Sequence, residues 1–255
     1  MQYPVIDYIE KNYDSSTDKK EYLPFVHSCD SFSLEAIIEE STLNTTMCPV
    51  FKKEYLYFFY GKPAYKVAQN IKENRTDYLH LPCCLVFKSE IINIVKVFPF
   101  DSGGFENKIY EKFFHKKMQI EKFELENSLQ GISKYINVFF GDNDEYINGI
   151  GKRNVSTDAY VDSLLNLLLA EGSYDMDERS RTVEAISEEN VKLENSLLGI
   201  VLPLELRRKK MISDFIDNNN IKCETYNYRP LTRPAEYNQV VFERVMSIIG
   251  KSGIL

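Results

Sequence analysis

Leu23-Pro24-Phe25-Val26-His27 is a short apolar run closed by a histidine, and Phe32-Ser33-Leu34-Glu35-Ala36-Ile37-Ile38 follows with the pattern of an amphipathic helix. The first run suits a buried strand. In the second, Ser33 reads as the N-cap, Glu35 falls in the first turn, and Phe32 can staple onto Ile37, so Leu34, Ile37 and Ile38 form the inward stripe. A histidine at the end of a strand, just before a capped helix, is placed where a side chain leaves the core and faces a cleft. Taken alone, such a residue is more often a hydrogen-bonded structural histidine.

Working outward, Glu54-Tyr55-Leu56-Tyr57-Phe58-Phe59-Tyr60 is dense in aromatic residues, which fit a pleated surface, and Gly61-Lys62-Pro63 ends it. Pro82 to Phe87 and Ile91 to Phe98 read as two further strands that pair as a hairpin across Lys88-Ser89-Glu90, and Asp101-Ser102-Gly103-Gly104 then breaks the chain. Leu125, Leu129, Ile132, Ile136 and Phe139 lie on one helical face before Gly141. A second helix is expected from about Thr157 to Ala170, with Gly172 past its end. Thr182 to Ile186 and Leu197 to Leu202 read as strands, followed by a helix from about Leu204 to Asp217 and a strand near Lys222 to Tyr226. The expected class is α+β, with a helical insertion at about 105–175 between two groups of strands.

A chain of 255 residues makes one large domain or two small ones at roughly 100–200 residues each. No linker divides it, so a single domain spanning 1–255 is expected. Hydrophobic residues at 44% and charged residues at 27% exclude a disordered or collagen-like chain. No apolar stretch is long enough for a membrane helix, and the first residues lack a secretory signal, which points to the cytosol and to no membrane partner. Cys29, Cys48, Cys83, Cys84 and Cys223 form no CxxC pair or disulfide-framework spacing, and His27, His80 and His115 no HExxH motif, so no metal is expected. The net charge of −7 repels polyanions as a whole. Lys108 to Lys122 is the clearest local basic stretch and reads as a solvated helix face; Lys117 and Arg207-Arg208-Lys209-Lys210 are the residues open to phosphate contacts.

Glycine-rich nucleotide loops, a kinase motif set and the GxSxG elbow are all missing. Glu184 sits in an apolar strand between Val183 and Ala185, where a solvated glutamate is the default and a general base or ribose-hydroxyl acceptor the alternative. Aromatic clusters such as Phe59-Tyr60 are usually core. Asp101 reads first as an Asx-type turn and second as a ligand-contacting loop.

At these residues the sequence resembles the ADP-ribosyltransferase fold, in particular the DarT-type toxins that modify DNA. His27 with the helix Ser33 to Ile38 leading to Leu43 is similar to the family's opening strand and helix, and Phe59-Tyr60-Gly61-Lys62-Pro63 to its aromatic strand-to-loop motif. Arg181-Thr182-Val183-Glu184-Ala185-Ile186, then Val191 and Leu198 to Pro203, is similar to the strand carrying the catalytic glutamate and the one after it. The resemblance covers residues 24–65 and 179–206. It implies split central β-sheets with flanking helices. It also implies that NAD is the substrate: Glu184 holds the ribose 2′-hydroxyl, His27 bonds the nicotinamide-side ribose, and Tyr57 or Tyr60 stacks on nicotinamide. Ser28, Lys62, Tyr65 and Arg181 complete the implied NAD-binding set.

Two departures bear on this. Lys62 and Lys66 stand where the DarT-type motif has arginines, and lysine lacks the bidentate fork, leaving Arg179 or Arg181 to substitute. Arginine-modifying members carry a second glutamate two residues before the first; here that position is Thr182, so arginine is not the expected acceptor. The implied activity is mono-ADP-ribosyl transfer to a nucleic acid or protein, as a toxin or antiphage effector with an antitoxin or regulatory partner. An NAD glycohydrolase on the same fold, and a catalytically silent binding or regulatory protein, remain open. The silent reading expects His27 and Glu184 to lie apart, or to be buried and paired.

Overall fold

A computed structural model describes residues 3–17, 21–64, 77–170 and 178–254. The fold is α+β and divides into two compact units, the first built from Met1–Tyr22, Cys48–Lys53 and Ile94–Ile186, the second from Leu23–Met47, Glu54–Asn93 and Ser187–Leu255. None of the described helices is long and apolar enough to cross a membrane.

In the second unit the strands are β1 (Phe25–Asp30), β2 (Thr42–Leu43), β3 (Thr46–Met47), β4 (Glu54–Tyr60), β5 (Pro82–Phe87), β8 (Val191–Lys192), β9 (Leu197–Pro203) and β10 (Lys222–Tyr226). Its helices are α2 (Ser31–Glu40), α7 (Leu204–Arg207), α8 (Lys210–Asn218) and α9 (Asn238–Gly250). The sheet runs β10-β9-β5-β1-β4, with β3 beside β4 and a separate ribbon of β2 and β8. Among the described strand pairs of this unit only β10 and β9 are parallel, and α7 with α8 supplies the crossover that parallel neighbours require. Every residue of β5 is buried, as its unbroken apolar run requires. On one face Cys84 and Val86 join Val26 and Val201 under Val241, Val245, Ile248 and Ile249 of α9. Each such aliphatic side chain contributes about 1.5–3 kcal/mol relative to exposure.

Several expectations are corrected here. The N-cap of α2 is Asp30, whose carboxylate accepts the Ser33 N–H; the strand stays extended one residue past Cys29, which puts the acid rather than Ser33 at the boundary. Phe32 is 66% exposed and staples nothing. The hairpin is absent: β5 lies between β1 and β9, and only Lys96–Phe98 of the second run is a strand. The helix near 204–217 breaks at Arg208-Lys209 into α7 and α8. The basic tetrad is largely spent on neighbours, with Arg207 on Asp217, Lys209 on Glu35 and Lys210 on Asp214.

The first unit contains α1 (Pro4–Asn12), β6 (Lys96–Phe98), α3 (Ser102–Glu106), α4 (Leu129–Phe139), α5 (Asn143–Ile147), α6 (Ala159–Leu168) and β7 (Glu184–Ser187). Strands β6 and β7 are antiparallel partners, although some 85 positions separate them in sequence (98 to 184 at the closest register pair). Between them Phe100, Phe105, Tyr110, Phe114 and Phe123 form an aromatic cluster with ring centroids 4.8–6.2 Å apart. That cluster explains the basic stretch. Lys108, Lys112, Lys116 and Lys117 are exposed on successive turns, not on a helix, while Tyr110 and Phe114 turn inward. Leu125 likewise stands outside α4, its N–H given to Val97 O at 2.9 Å. Ser128 and Asp158 cap α4 and α6; Gly172 lies outside the described residues.

At Gly199 on β9, Ile248 of α9 packs close against the backbone. A β-carbon there would stand 2.8 Å from two Ile248 side-chain carbons and 2.9 Å from Lys222 O, and the backbone oxygen cannot move aside. Gly199→Ala is expected to lower unfolding stability by about 1–3 kcal/mol in urea titrations; an unchanged midpoint would contradict this packing.

Candidate active site

Register in the first unit sets Phe98 of β6 opposite Glu184 of β7, and the chain leaving β6 reaches Asp101 three residues later. Asp101 is the N-cap of α3, accepting from Gly103 N and Gly104 N at 3.1 Å each, so the Asx-type reading of this turn holds and the turn opens a short helix instead of breaking the chain. Its Oδ2 also accepts from Arg179 Nη1 at 2.9 Å, and its backbone N–H donates to Arg179 O at 3.0 Å.

The remaining leading N–H of α3, that of Ser102, donates to Glu184 Oε2 at 3.1 Å. Glu184 is 2% exposed, so the default of a solvated glutamate is corrected: alternation along a strand gives the face, not what covers it. Burial pushes its carboxyl well above the usual glutamate range, and the neighbouring Asp101 charge pushes it further. The Ser102 hydroxyl is buried and makes no hydrogen bond. Thr182 Oγ1 donates to Glu178 O at 2.6 Å, and Val183 N donates to Tyr146 Oη at 3.0 Å, which fixes the approach to β7. A buried carboxyl with raised proton affinity, an acid beside it and a guanidinium behind that acid form an arrangement suited to proton transfer and to stabilising positive charge on a ligand.

Arg181 is tied to the backbone oxygens of Gly149 and Ala170 in the same unit. His27, Ser28, Tyr57, Tyr60 and Lys62 all belong to the second unit, and Tyr65 lies outside the described residues, as does Lys66. His27 Nδ1 is 2.9 Å from Tyr57 O. A carbonyl only accepts, so Nδ1 carries the hydrogen and the neutral ring presents Nε2 as an acceptor. Burial holds its pKa below the ordinary histidine value. Ser28 Oγ lies 3.6 Å from Cys84 Sγ. Tyr60 is 1% exposed, sits edge-on to Phe25, and accepts the Leu23 N–H at its hydroxyl at 2.8 Å; Tyr57 is half-buried and meets Tyr55 edge-on. Lys62 is fully buried. Gly61 is obligatory at the end of β4, with φ +72° and Leu23 Cδ1 2.5 Å from where a β-carbon would be.

Reading the sequence missed the Ser102 N–H as the holder of Glu184. The signal was present in Asp101-Ser102-Gly103-Gly104, an acid followed by small residues whose N–H groups stand clear. Among the described residues no group of three or more His, Cys, Asp or Glu side chains is placed to hold a metal ion.

Two measurements check this geometry. Glu184 binds its proton more tightly folded than unfolded, so its contribution to stability is complete below the ordinary glutamate pKa and is lost as pH rises through the raised folded value. Glu184→Gln keeps an oxygen for Ser102 N–H and escapes that loss. Its melting temperature is expected to exceed that of the wild type at pH 8, by ~2–4 °C per kcal/mol relieved, with the gap closing toward pH 4; an equal or lower value at pH 8 would count against a strained carboxyl. For His27, ¹⁵N spectra are expected to show a neutral ring with hydrogen on Nδ1 at pH values where free histidine is already half protonated; a protonated ring there would refute the assignment.

No family model, characterised protein or solved structure matches this chain.

Proposed function

We propose that this chain is a mono-ADP-ribosyltransferase of the ADP-ribosyltransferase-like fold, which cleaves NAD and passes ADP-ribose to a macromolecular acceptor. One observation carries the reading: Glu184, in the strand that resembles the family's glutamate strand, is withdrawn from water and held at a high proton affinity instead of being solvated. A buried carboxyl of this kind costs stability, and such costs concentrate where chemistry is done.

In this reading NAD loses neutral nicotinamide as its C1′–N bond breaks, leaving an oxocarbenium-like ribose. Glu184 accepts the ribose 2′-hydroxyl and, when ionised, offsets the positive charge that develops. His27, with hydrogen fixed on Nδ1, offers Nε2 to a ribose hydroxyl. Arg181, spent on two backbone oxygens, is a poorer phosphate ligand than its free guanidinium would be.

A specific observation favours a second reading, that of a silent binding or regulatory protein. Glu184 is buried with Oε2 taken by Ser102 N–H, and Tyr60, one of the two stacking candidates, is 1% exposed. Nicotinamide release from NAD separates the two, assayed for wild type and Glu184→Gln with and without DNA, RNA and cell lysate. Transfer predicts release that depends on an acceptor and falls by ~10²-fold or more in the variant. Release without any acceptor means hydrolysis, and no release from folded protein under any condition favours the silent protein.

A further inference from the structure

We infer that Asp101 is the positioning residue of Glu184: clamped between Arg179 and the first turn of α3, it fixes that turn, whose Ser102 N–H holds the Glu184 carboxyl. The catalytic meaning rests on the function proposed above; the positioning rests on geometry alone.

The three leading N–H groups of α3 are divided between the two acids. Gly103 and Gly104 serve Asp101, and Ser102 serves Glu184. The two carboxyls therefore hang from one five-residue helix. The division is unequal. Asp101 takes two amides and the Arg179 guanidinium, whereas Glu184 takes one amide. With fewer donors to stabilise its ionised form, Glu184 is the acid whose proton affinity burial and the neighbouring Asp101 charge raise. Asp101 is also fixed against rotation, because Oδ1 faces Gly103 while Oδ2 faces both Gly104 and Arg179.

Among the described residues of the first unit, the charged groups bearing on Glu184 are Asp101 and, through it, Arg179. Its register partner Phe98 and its strand neighbours Val183, Ala185 and Ile186 carry no charge. The Ser102 hydroxyl faces the Glu184 carboxyl and favours its ionised form, against the effect of burial.

The experiment follows the protonated-carboxyl C=O stretch by infrared titration, assigned to Glu184 by its loss in Glu184→Gln, alongside the pH profile of nicotinamide release. The wild-type band is expected to persist well above the ordinary carboxylate range. Asp101→Asn should lower its midpoint by about one pH unit or more, and the acid limb of nicotinamide release should move the same way. Because Asp101→Asn removes the carboxylate that Arg179 bonds, Asp101→Asn/Arg179→Gln, which removes both charges, serves as the second variant. A midpoint that stays or rises in the folded variants overturns the inference, as does a wild type with no Glu184 band at pH 6. A midpoint that falls in a protein that never cleaves NAD upholds the positioning and overturns the transferase reading.

Discussion

Strand β5 is buried along its whole length, so each of its side chains needs a covering layer on whichever face it points to. One face, with Cys84 and Val86, is closed by α9. On the other, Phe87 meets Phe58 of β4 edge-on, and Ser31 at the start of α2 reaches Cys83, with Oγ 3.5 Å from Sγ. His27 inherits its position from this arrangement. It pairs with Leu85 in the β1–β5 register, and its ring is steered by the Tyr57 carbonyl of the strand on the other side.

The first unit meets a different constraint, that of burying charge. Asp101, Arg179 and Glu184 are all nearly closed to water, and each unsatisfied charge would cost several kcal/mol or more. The short helix α3 offsets this by giving every leading amide to a carboxylate, with the guanidinium completing Asp101. What it leaves is a glutamate with a single amide donor and a proton affinity raised by burial. The aromatic cluster of Phe100, Tyr110, Phe114 and Phe123 packs directly after β6 and holds this turn in place.

Local signals were legible in the sequence and partnerships were not. The aromatic run 54–60, the apolar run 82–87 and the strand 222–226 appear with the expected bounds, because each carries its own period and its own breakers. The hairpin failed because two adjacent apolar runs do not say which strands they pair with, and β5 prefers β1 and β9. Helix α9 went unread although Val241, Val245, Ile248 and Ile249 repeat at helical spacing. In the site, Glu184 and Asp101 each drew notice from their neighbours in sequence. Their joint attachment to α3 depends on a contact 82 residues apart, which no local pattern encodes.

Among the described strands β10 pairs with β9 alone, and its other edge is a standing invitation for another chain to add a strand. Its charged residues are tied down. Lys222 reaches Lys251 O and Ser252 Oγ, while Glu224 holds Lys251, Arg244 and Ser247. A strand adding at this edge would have to displace or desolvate these bonds before gaining its own ladder, so the sheet ends at β10 and the second unit is protected against growing into an aggregate from that side.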